Sequence, residues 1–259
     1  MDRGNRMNTL GIDNHLDWPR IRHLFHIGIL AGLVALSADI VLGWGAAQEG
    51  ISGMDGYFSR YLTVSNGRIF ASALLGMIGI PMECLSYFGI YRLMADSAPK
   101  HAHAYRAGLF GMLIFGALTH VLCCAAVFYY RQMYAIDPAT AAADTVRFAL
   151  WFLIPATAIF LIFFFITALV QISAFAKGKT PYPKRCWVFS LLFGFVLIAA
   201  MKLIGNYPLT NALSTGWISL GSLWMLGGLL VTMKKESHLL QVAGMLVGSL
   251  LLARFCTLI

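Results

Sequence analysis

The chain has 259 residues, 59% of them hydrophobic and only 12% charged, with a mean hydropathy of +0.74. Soluble domains carry about 25% charged residues, so a water-solvated globular fold is excluded and the bilayer is the solvent this composition fits. The net charge of +8 would suggest nucleic acid in a soluble protein, but its distribution marks membrane topology, and no nucleic-acid partner is expected.

Residues 1–23 read as a polar cytoplasmic tail carrying Arg3, Arg6, Arg20 and Arg22. Residues 24–259 read as one transmembrane helical domain. No small-residue cleavage site follows the first apolar run, so that run is expected to be retained. Stretches of about 20 apolar residues predict seven spans: Leu24–Ala46, Ile69–Met94, Ala107–Tyr130, Phe148–Ala176, Cys186–Gly205, Leu213–Met233 and Ser237–Thr257. The uncharged part of the last runs only over Ser237–Ala253, and a six-span reading lays it on the surface. The fold class is therefore an all-α polytopic bundle. Between the first two spans, "MDGYFSRYL" places Met54, Tyr57, Phe58, Tyr61 and Leu62 at helical spacing, which predicts a short interfacial helix near 53–62.

Thirteen Lys and Arg flank one side: the four tail arginines, Arg92, Lys100, Arg106, Lys177, Lys179, Lys184, Arg185, Lys234 and Lys235. Arg60, Arg68, Arg131 and Arg147 flank the other. The excess places the N-terminus in the cytoplasm, with the plasma membrane (a bacterial inner membrane) as the expected location and anionic lipid as a partner. Cys84, Cys123, Cys124, Cys186 and Cys256 lack CxxC spacing and read as buried inert thiols. The GxxxG pairs Gly28/Gly32 and Gly244/Gly248 predict close helix packing, and allow a homo-oligomer.

Four ionisable residues fall inside predicted spans: Asp39, Glu83, His120 and Lys202. A charge at the bilayer centre costs about 2.5–3.5 kcal/mol, so protonation, pairing or a wet cavity must offset each. Counted along alternating spans, all four lie between the middle and the outer third. That shared depth predicts one polar pocket open to the outside, with a carboxylate partner for Lys202 as the strongest pairing expectation and an Asp39–Lys202 bridge that locks helix packing as one form of it. Pro81, two residues before Glu83, removes a backbone donor and is expected to bend its helix. The outer hairpin that follows Lys202, with Asn206 and Asn211, is expected to roof the pocket.

The expected function is binding, and transport, of a small polar or amphiphilic molecule with proton coupling. An intramembrane enzyme acting on a lipid or amphiphile, in which Asp39, Glu83 and His120 hold a metal or act as acid and base, or a structural subunit, are the alternatives; no metal site is assigned and the sequence names no cofactor. The single deep histidine, with no HxxxH in a late span, separates the chain from alkaline-ceramidase-like hydrolases. A lysine in the fifth span, not the seventh, separates it from rhodopsins. Nucleotide-binding glycine loops, HExxH and GxSxG are absent.

Overall fold

A computed structural model describes residues 16–233, and within them the chain is all-helical. The predicted seventh span and most of the N-terminal tail lie outside the described residues.

Helix α1 spans Trp18–Gly43. It starts where Asp17 accepts a hydrogen bond from the Arg20 amide at 3.0 Å and Pro19 occupies the first turn, two devices that favour an N-terminus. Its last turn is capped from another helix. Arg68 Nη2 donates to the Val41 carbonyl at 2.7 Å and to that of Trp44 at 2.9 Å, where the helix dipole favours a cation. The stretch expected to form a short helix near 53–62 contains α2, Gly53–Ser59. Arg60, just past its end, lies 4.1 Å over the Tyr57 ring and 4.7 Å over that of Tyr61.

Helix α3, Asn66–Ser86, is capped by Ser65 and runs through Pro81 to Tyr87, where the backbone tightens before α4, Phe88–Ala95. Helix α5 is Pro99–Ile136. A further continuous run comprises α6, Ala141–Phe148, a π-helical turn over Ala149–Leu153, and α7, Ile154–Ala176. The π turn sits just before Pro155, which has no N–H to give to the carbonyl one turn back; the Ile154 amide reaches instead to the Ala149 carbonyl.

Among the described residues, four helices are long and apolar enough to cross a membrane: α1, the α3–α4 run Asn66–Ala95, α5 and the α6–α7 run. The remainder differs from a plain hairpin of spans. Where a fifth span was expected, a 3₁₀ turn, Lys184–Val188, leads through irregular backbone into α8, Phe193–Ile204. Twelve helical residues rise only about 18 Å, short of the roughly 30 Å hydrocarbon core. Where a sixth was expected, α9, Pro208–Thr215, meets α10, Trp217–Thr232, at a bend of 67°; taken together they make a fifth candidate span.

The irregular stretch has its polar backbone answered by side chains. Gln171 Nε2 donates to the Phe189 carbonyl at 2.8 Å and Trp224 Nε1 to that of Val188 at 2.9 Å. Bare glycines let it approach: a Cβ on Gly221 would collide with the Leu191 carbonyl. Non-helical backbone at membrane depth requires this kind of internal satisfaction.

The helices form a ring. Helix α10 packs on α1, α1 on α3, α3 on α5, and α5 on α7, while α8 packs on α10. Phe195 of α8 stacks on Phe165 of α7 at 6.0 Å, and Phe164 meets Trp217 edge-on at 5.3 Å, which closes the circuit. Connections gather at two ends. At one, Ser97 Oγ donates to the Lys179 carbonyl at 2.7 Å, and Trp18 lies 6.1 Å from Tyr182. At the other, Asn211 Nδ2 donates to the Gly45 carbonyl at 2.7 Å and Arg131 donates to Asn66.

Candidate functional site

The ring encloses a cavity of about 550 Å³, lined from α1, α3, α5, α7, α9 and α10. Asp39, Glu83 and His120 all line it, so three of the four deep ionisable residues converge. They do so at two levels. Asp39 stands seven residues beyond Gly32, and Glu83 packs beside Gly32, a separation of about 10 Å along α1.

The upper tier joins α1, α3, α5 and α10. His120 Nδ1 lies 3.4 Å from Asp39 Oδ1, and Ser219 Oγ donates to Asp39 Oδ2 at 3.1 Å. On the far side of the ring, His120 Nε2 lies 3.0 Å from the Ser72 carbonyl oxygen. A carbonyl only accepts, so Nε2 carries a hydrogen and donates it. Nδ1 then faces Asp39 Oδ1, and a favourable contact there requires a second hydrogen between them, held by the imidazole or by the carboxyl. The contact thus shares a hydrogen at the cavity wall. Gly76 makes room for it, because a Cβ there would overlap the imidazole ring.

The lower tier belongs to Glu83. The Tyr87 hydroxyl, one turn further along, donates to Glu83 Oε1 at 2.8 Å and lies 2.8 Å from Ser222 Oγ. Tyr87 sits where α3 gives way to α4. Glu83 is 4% exposed, and no Lys, Arg or His reaches its carboxylate among the described residues.

Most of the remaining wall is apolar, including Leu42, Ile80, Met112 and Leu161, with Thr119, Thr157 and Thr215 as hydroxyl exceptions. Thr119 Oγ1 is buried with no hydrogen-bond partner, an orphan at the cavity surface. Glu83, Cys84, Tyr87 and Met112 are buried at the floor, whereas Ile154 and Ala158 on α7 are exposed. The rim therefore includes the first turns of α7, which continue into the exposed apolar Leu150, Trp151, Phe152 and Ile159.

The other predicted site residues fall elsewhere. Lys202 is exposed on α8, does not line the cavity and pairs with no carboxylate among the described residues; the expected Asp39–Lys202 bridge is replaced by Asp39–His120. The reason is the break before α8, which carries Lys202 out to the short helix's outer face. Asn211 is buried but bonded to the Gly45 carbonyl and, at 2.7 Å, to Asn206 Oδ1. The two asparagines tie the turn before α9 to the end of α1 and do not line the cavity. Sequence reasoning missed Ser72, Tyr87, Thr119 and Ser222. Tyr87 was detectable one helical turn after Glu83, whereas the serines look like ordinary small residues of a packed span.

Ser72 Oγ lies 3.2 Å from His120 Nε2, so Ser72, His120 and Asp39 have the order of a hydroxyl–imidazole–carboxylate relay. Two facts separate it from a nucleophile. Ser72 is fully buried and does not line the cavity, and its own carbonyl occupies the nitrogen that would take its proton. Among the described residues, no group of three or more His, Cys, Asp and Glu could hold a metal ion.

A family model described as a family of unknown function, DUF6796, matches residues 7–236. No curated protein and no solved structure matches the chain.

Proposed function

The chain belongs to the DUF6796 family, and for it we propose an integral membrane protein that binds, and transports, a small amphiphilic molecule in its intramembrane cavity, with the Asp39–His120 pair exchanging a proton. The observation that carries this reading is the convergence of Asp39, Glu83 and His120 on one cavity of about 550 Å³. That volume lies within the roughly 300–1,000 Å³ of small-molecule sites, and mostly apolar walls with a few placed polar groups are their usual form. Intramembrane ionisable groups around such a space are the components of proton-linked carriers.

The exposed rim on α7 supports entry from the acyl-chain region, which favours a solute with an apolar body. The discontinuous stretch before α8 resembles the broken helices of carriers and supplies an element able to move. In this reading α8 completes a passage through the bilayer, six passages are made by residue 233, and the charge asymmetry sets the Trp18 end in the cytoplasm of a plasma membrane. Membrane lipids are its surrounding partners.

The test is flux into proteoliposomes under an imposed proton gradient, with a panel of amphiphilic solutes. The reading expects accumulation of at least one solute class that His120→Ala uncouples from the gradient. Folded protein that carries no solute and moves no protons would leave the buried tiers as packing devices only. Intramembrane hydrolysis is less well supported, because Ser72 has no access to the cavity.

A further inference from the structure

We propose that the cavity takes a hydrophobic organic cation, with Glu83 as its counter-charge. This rests on the binding reading above and adds the ligand's charge and class. Asp39 and His120 balance one another across 3.4 Å. Glu83 has no such balance. Its Oε1 accepts from Tyr87, a neutral donor, and no basic side chain reaches it among the described residues. A carboxylate removed from water is costly until it gains a positive partner or a proton, so the unmet demand of this cavity is for positive charge.

The walls agree with that sign. The rings of Tyr87, Phe160 and Trp217 line the same space, and aromatic faces attract a desolvated cation. A ligand anion would meet two acidic side chains and one imidazole already engaged by Asp39. A neutral ligand would leave Glu83 to be satisfied by a proton alone. The unpartnered Thr119 Oγ1 offers one further polar contact, and the predominantly apolar lining selects against small hydrated metal cations. A bulky ammonium or phosphonium, its charge spread beneath apolar groups, meets all of these conditions.

The experiment uses two probes of nearly the same shape and opposite charge, tetraphenylphosphonium and tetraphenylborate, with detergent-solubilised full-length protein and empty micelles as control. The proposal expects saturable tetraphenylphosphonium binding, competition by tetraphenylborate being negligible. Glu83→Gln should weaken the cation by about thirtyfold or more, and Glu83→Asp should retain part of the affinity. Equal binding of both probes, or an unchanged affinity in a folded Glu83→Gln, overturns the cation class while leaving the pocket in place. Saturable binding of tetraphenylborate alone does the same. Absence of saturable binding by either probe overturns the cation class and counts against the pocket reading as well. If Glu83→Gln does not fold, the wild-type preference between the two probes decides the matter.

Discussion

His120 Nδ1 lies 3.4 Å from Asp39 Oδ1 while its Nε2 lies 3.0 Å from the Ser72 carbonyl oxygen. One imidazole thereby ties α5 to both α1 and α3, and the tie needs a proton in it. Removing one member of a largely desolvated pair strands the other. Asp39→Ala is expected to cost about 3 kcal/mol of stability. Adding His120→Ala to it should cost less than the sum of the two single changes. A double-mutant cycle read by denaturant unfolding in detergent checks this, and additive losses would mean the two groups do not interact.

Gly76 is the space into which the His120 ring fits. Gly76→Ala should displace the imidazole and cost about 1–3 kcal/mol, the usual range for overpacking. Gly67, near the start of the same helix, has only the Ser65 hydroxyl within 4 Å of an added Cβ. Gly67→Ala is the matched control and should be close to neutral. Thermal unfolding of the two variants side by side measures the difference.

Tyr87→Phe deletes the hydroxyl shared between Glu83 and Ser222 and leaves the ring packed. The expected loss is about 1–3 kcal/mol, because a buried carboxyl oxygen and a serine lose their partner. Ligand affinity should fall with it, whereas a phenylalanine at the exposed Tyr207 should change neither. Unfolding and probe binding on the same preparations separate the two effects.

Much of this architecture was legible in the residues. The long apolar runs and the spacing of "MDGYFSRYL" announced α1, the α3–α4 run, α5, the α6–α7 run and α2, because hydrophobic length and helical period are local properties. Depth counting also brought Asp39, Glu83 and His120 together. It failed for Lys202, since rise per residue assumes an unbroken helix and the chain from Lys184 to Leu192 is a 3₁₀ turn followed by irregular backbone. Ser72 and Ser222 were invisible for a different reason. A small hydroxyl residue in a span carries no signal until its partner across the bundle is known.

The break before α8 is held by Gln171 and Trp224. Gln171→Leu removes the donor to the Phe189 carbonyl. Hydrogen exchange is expected to rise selectively over 186–193, while α1 and α5 keep their protection. A uniform rise would mean that Gln171 supports the whole bundle and not this segment alone.

Asp39, Glu83 and His120 face one cavity inside the bundle, and that arrangement is the basis of the proposed binding. It is tested most directly by a high-resolution density map of the full-length protein in lipid nanodiscs. An open volume of about 550 Å³ bordered by all three side chains, with non-protein density against Glu83, is the expected result. A bundle whose side chains fill that volume, or in which Glu83 turns to the lipid away from Tyr87 and Ser222, would contradict it.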